Sequence, residues 1–155
     1  MKRPRRFWHS RLAAVVVATF VAAATVATPT PAAAAPDGSN VVINEAYVTG
    51  GSAGAPFNRK FVELYNPTDE AIDLSGWSLQ YRAPGNAGTN PFSIVAVLSG
   101  EIPAEGHYLV AGGSNADAGD ELPTPDLDAA NINPGAGGGT LVLASTASGL
   151  TIPTG

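Results

Sequence analysis

The stretch that decides the fold is Phe61-Val62-Glu63-Leu64-Tyr65-Asn66-Pro67-Thr68-Asp69-Glu70-Ala71-Ile72-Asp73-Leu74-Ser75-Gly76-Trp77-Ser78-Leu79. It reads as a strand, a turn, a short bridging segment, a second turn and a second strand. Asn66-Pro67 ends the first strand, because the residue before a proline avoids the helical region and proline has no N–H to donate. Ser75-Gly76 marks the start of the next run. There Trp77, Leu79 and Tyr81 alternate with polar residues, the period of a strand with one buried face.

Further strands flank this stretch. Val41 to Val48 reads as a strand, followed by a loop of turn formers, Gly50-Gly51-Ser52-Ala53-Gly54-Ala55-Pro56. Residues 60–65 and 77–82 are the next two strands. Ala83 to Asn90 is an exposed loop, and Phe92 to Leu98, largely apolar and partly β-branched, is a buried strand. Glu101 to Gly106 is a turn, with Pro103 confining it to an edge, and His107 to Ala111 is a strand. Residues 112–139 hold seven Gly, three Pro and four Asp. They read as a long loop with one helical turn around Pro125 to Ala130 and a flexible turn at Gly135 to Gly139. Thr140 to Ala144 is the last strand. That makes six, where a closed sandwich has about seven. The domain at 41–155 is therefore expected to be C-terminally incomplete.

Ile43-Asn44-Glu45, Glu63-Leu64-Tyr65-Asn66 and Asp73-Leu74-Ser75-Gly76-Trp77-Ser78-Leu79 occur in order and at ordinary spacing. This set resembles the lamin-tail domain of the secreted bacterial type, over about residues 41–145. The resemblance implies an all-β, immunoglobulin-like β-sandwich with Trp77 in its core. It also implies an accessory or interaction module, of a kind that sits beside exported nucleases or phosphoesterases.

The first residues read as an address. Lys2, Arg3, Arg5, Arg6 and Arg11 precede the apolar run Leu12 to Ala27, and Ala32-Ala33-Ala34-Ala35 follows. This is the pattern of a secretory signal peptide at 1–34, with a short lead at 35–40. The expected location is extracellular, with no membrane segment after cleavage. Five of the 8 Lys+Arg lie in that segment and none of the 13 Asp+Glu do, so the remainder carries 3 − 13 = −10. Such an acidic surface disfavours direct nucleic-acid binding. With no cysteine, the domain must hold together without disulfides.

No catalytic constellation is legible, and the chain reads as non-catalytic. G-x-S-x-G is missing, and the Gly135 to Gly139 run lacks the Lys-Ser/Thr of a phosphate loop. No cofactor is expected apart from Ca²⁺, for which Glu45, Glu63, Asp117, Asp120 and Asp126 are the oxygen-ligand candidates. Asn44 or Asn66 would lie near the two glutamates. The competing readings are that Glu63 pairs with Arg59, Lys60 or Arg82 or faces solvent, and that the aspartates form a solvated loop. Tyr81 and Arg82 are the candidate ligand-binding patch, suited to stacking on a sugar, with partial burial as the alternative. His107, the one histidine after residue 34, reads as a surface residue. The expected partner is a cell-surface or extracellular polymer or protein. The chain is read as the N-terminal module of a longer exported hydrolase, with a stand-alone adhesin or glycan-binding module as the alternative.

Overall fold

The computed structural model describes residues 38–86 and 91–152. The expected signal peptide and its cleavage point lie outside them. The chain runs β1 (Val42–Tyr47), β2 (Phe61–Tyr65), β3 (Ile72–Asp73), β4 (Ser78–Arg82), a 3₁₀ turn at Pro84–Asn86, then β5 (Ile94–Val97), β6 (Glu101–Ile102), β7 (His107–Ala111), β8 (Leu127–Asp128) and β9 (Thr140–Ala144). Three sheets result: β1-β2-β7-β8, β5-β4-β9 and the ribbon β3-β6.

The two larger sheets share one core. Period-two alternation sends Val62, Leu64, Tyr108 and Val110 inward from the first, and Leu79, Tyr81, Ala96 and Leu143 from the second. Leu74, Trp77, Leu98 and Ile102 join the same cluster from the ribbon and its flanking turns. The architecture is an all-β, immunoglobulin-like sandwich. Trp77 is buried, as the resemblance implied.

Asn66 explains why the chain turns after β2. Its side chain is fully buried. Nδ2 donates to the carbonyls of Glu70 (2.7 Å), Ile102 (3.1 Å) and Pro103 (3.0 Å). Oδ1 accepts from the Thr68 N–H (3.1 Å) and hydroxyl (2.7 Å). One amide thereby satisfies the backbone of the 66–70 turn and anchors it to the segment after β6.

The Gly-rich connections are tied down. The 49–60 loop is joined to the 112–120 segment by Asn58 N–H to Asp120 C=O (2.8 Å), Asp120 N–H to Pro56 C=O (2.9 Å) and Asn115 N–H to Gly50 C=O (3.0 Å). At Gly50 a Cβ would lie 2.0 Å from the Arg59 carbonyl carbon, so this approach requires glycine. The expected helical turn at Pro125 to Ala130 is not formed. Leu127–Asp128 is instead a strand parallel to β7, paired with Val110 and Ala111. Pro123 and Pro125 bias their predecessors toward extended backbone. Asp126 then locks the join: its N–H donates to Leu109 C=O (3.0 Å), and its Oδ2 accepts from Leu109 N–H (2.7 Å).

Ser78 and Gln80 alternate with the core residues of β4, yet they too are buried. The segment after β9 crosses over them. Ser78 Oγ donates to Thr146 C=O (2.6 Å), Gln80 Nε2 to Ser148 C=O (2.9 Å), and Gln80 Oε1 accepts from Leu150 N–H (2.9 Å).

Candidate functional site

The outer face of β1-β2-β7-β8 carries the densest chemistry outside the core. Glu45 and Glu63 stand directly opposite each other on β1 and β2. The register shifts between Ile43 and Glu45, which brings Asn44 to the same face. Asn44 Nδ2 donates to Glu63 Oε1 at 2.6 Å. The same oxygen lies 3.0 Å from His107 Nδ1. The His107 ring packs against Tyr65, its cross-strand neighbour, with centroids 4.8 Å apart and planes tilted by 35°. Asn44, Glu63, His107 and Tyr65 thus form one connected row spanning three strands.

Beside this row lies an aromatic triangle. Tyr47 stacks on Phe61 (5.2 Å), and Phe57 meets both edge-on (6.0 Å each). Phe57 comes from the 49–60 loop, so the triangle is a satellite cluster under that loop. It fixes the loop against the sheet and gives the polar row a rigid border.

The cations lie elsewhere and do not pair with Glu63. Arg59 forms two hydrogen bonds to Asp128 (2.6 and 2.8 Å) and two to Gly112 C=O (2.9 and 2.7 Å). The Asp128 carboxyl is held below its ordinary range, chiefly by its hydrogen bond to Arg59, and the Arg59 guanidinium is pushed up by the same bond. Lys60 is buried against Asn133. Arg82 lies over the Phe92 ring, 4.8 Å from its centroid.

The five Ca²⁺ candidates are not brought together. Glu45 and Glu63 are on the sheet face, Asp117 and Asp120 are in the 112–120 loop, and Asp126 is bound to Leu109 N–H. Among the described residues, no group of three or more His, Cys, Asp or Glu gathers as a metal cage would require. Asn66 is committed to the turn and not available as a ligand. Tyr81 is not an exposed platform: 5% of its surface is accessible. Its hydroxyl donates to Gly138 C=O (3.2 Å) and accepts from Gly135 N–H (3.2 Å), which packs the 135–139 turn onto the ring. The ring floors a depression of about 230 Å³, shared with Ala46, Val48, Pro134 and Leu141. Inward alternation in β4 is what buries it.

Sequence reasoning missed the Tyr65–His107–Glu63 row. The signal was present in β2 itself, where Glu63 and Tyr65 alternate with the core residues Val62 and Leu64. Placing His107 beside them needs the register of β2 against β7.

A two-sheet sandwich with a structured polar and aromatic face defines an immunoglobulin-like interaction module. The family model described as Lamin Tail Domain matches residues 34–152, and the chain belongs to that family. No curated protein and no solved structure matches it.

Proposed function

We propose that this chain is a secreted, non-catalytic lamin-tail module that holds an extracellular polymer or protein through the outer face of β1-β2-β7-β8. The observation that carries this reading is the row Asn44–Glu63–His107–Tyr65. A tilted ring pair next to a fixed carboxylate offers both a π-face and directional acceptors, the pairing that sugar rings and peptide backbones exploit. Of the residues named from sequence alone, Tyr81 is buried with its hydroxyl bonded to the 135–139 turn, and the Asp126 carboxylate is bonded to the Leu109 N–H. The charge of −10 beyond residue 34 supports a partner other than nucleic acid.

The module reading extends to a longer exported protein with a hydrolase of the nuclease or phosphoesterase class alongside. A stand-alone adhesin is the competing context. Reading the coding sequence past Gly155 separates them: a phosphoesterase domain supports the first, a sorting signal or repeat the second. Export itself is tested by N-terminal sequencing of protein from the culture medium, where the account expects a start at residue 35. Binding is tested by co-sedimentation of the chain with insoluble cell-wall peptidoglycan, chitin and cellulose. Recovery in the supernatant with all three polymers would remove the polysaccharide form of the proposal.

A further inference from the structure

Lys60 is 3% exposed, an unusual place for an ammonium group. Its Nζ lies 2.6 Å from Asn133 Oδ1. Among the described residues, this amide is its one hydrogen-bond partner, and no carboxylate pairs with it. An ammonium has three N–H groups to satisfy, and a buried charge without a counter-ion is costly. Burial accordingly pushes the Lys60 amine below its ordinary range, toward the neutral and nucleophilic form.

The backbone clamps the two residues together. Lys60 N–H donates to Gly113 C=O (2.8 Å), Gly112 N–H to Lys60 C=O (2.8 Å), and Gly113 N–H to Ile132 C=O (2.9 Å). A Cβ on Gly113 would lie 2.7 Å from Asn133 Cγ, so glycine there is what lets the amide sit against the lysine. Asn133 is followed by Pro134, which has no N–H. The usual backbone attack on an asparagine side chain is therefore closed at this position. The nucleophile that faces the amide is the lysine.

We propose that Lys60 and Asn133 condense to an intramolecular isopeptide cross-link. Nζ attacks Cγ of the carboxamide, the Nζ–Cγ bond forms and the Cγ–Nδ2 bond breaks. One proton from the amine goes to the departing nitrogen, which leaves as ammonia. No oxidant, reductant or co-reactant is needed. Held geometry lowers the barrier, as effective molarity does for other intramolecular acyl transfers, and the escape of ammonia draws the exchange forward. The bond would join residues 73 apart in the chain. In a cysteine-free domain it would restrict the unfolded chain as a disulfide does.

The full chain, purified and folded as judged by a cooperative melt, is digested with trypsin and mapped by mass spectrometry. Beyond residue 11 the cleavable residues are Arg59, Lys60 and Arg82. A cross-linked Lys60 resists cleavage, so the peptide 60–82 stays joined to 83–155, and the intact mass is lower by one ammonia. Lys60→Met restores the unmodified mass and lowers Tm. A merely structural lysine would also lower Tm on this substitution, because Asn133 Oδ1 loses its donor, so the lost ammonia and the joined peptides are the readouts that separate a cross-link from a hydrogen bond. Separate 61–82 and 83–155 peptides from the folded wild-type chain, with no loss of mass, would overturn the proposal. That wild-type result decides the matter even if the variant fails to fold.

Discussion

Glu63 and His107 occupy adjacent antiparallel strands, with Oε1 of one 3.0 Å from Nδ1 of the other. The imidazole is held between that carboxylate and the Tyr65 ring, and the carboxylate between the imidazole and Asn44. Each side chain in the row fixes the next. The His107 side chain still keeps about half its surface open, at 52%. A face that is both ordered and accessible costs little conformational entropy on binding.

Asn66 ties five polar groups with one side chain. Asn66→Ala leaves buried carbonyls without donors, each a penalty of about 1–3 kcal/mol when water does not replace the partner. The expected loss is about 3 kcal/mol, read from urea unfolding at unchanged m-value. A loss below about 0.5 kcal/mol would show that the turn after β2 holds without this amide.

Gln80 pins the segment after β9 across the back of β4. Gln80→Leu fills the same space but releases Ser148 C=O and Leu150 N–H. Hydrogen exchange at Leu150 should accelerate at least tenfold while the core amides of β2 and β7 stay protected, because local opening separates from global unfolding. Equal acceleration throughout would mean that this segment is part of the global folding unit.

Asp128 and Asp73 both titrate below their ordinary carboxylate value of 3.8, Asp128 chiefly through Arg59 and Asp73 through hydrogen bonds with Ser75. The folded values are depressed, so their stabilisation is present above the unfolded value and is lost as pH falls through the folded one. Stability should hold between about pH 5 and 8 with respect to these groups and decline below about pH 4. Asp128 is largely exposed, and its share is below about 1 kcal/mol after solvent screening. Urea midpoints for wild type and Asp128→Asn should differ at neutral pH and converge in acid. A gap that widens in acid would reverse the assigned sign.

The sandwich was legible in the sequence because its signals are local. Asn66-Pro67 stops β2, the alternation of Leu79 and Tyr81 marks the core face of β4, and the motifs from Ile43 to Leu79 carry the family. The two-residue strands β3, β6 and β8 are too short to show a period, and β8 depends on pairing with Val110 and Ala111 far upstream. Burial of Ser78 and Gln80 was hidden because alternation places them outward, and their cover comes from residues 146–150. The candidate site was half visible. Opposition of Glu45 and Glu63 follows once the strands pair, but His107 joins Glu63 through register. The aromatic patch assigned to Tyr81 moved inward for the same reason that made β4 recognisable.

The most direct test of the binding face compares wild type, Tyr65→Ala and Glu63→Gln in co-sedimentation with peptidoglycan, chitin and cellulose. Melts should first show that each variant keeps the wild-type fold, since both side chains project from the outer face. Wild type should be retained on one of these polymers, and either substitution should weaken retention about tenfold or more, the effect of losing one aromatic ring or one fixed acceptor. Retention of all three proteins alike, or a loss that follows Arg82→Ala instead, would contradict the proposed binding face.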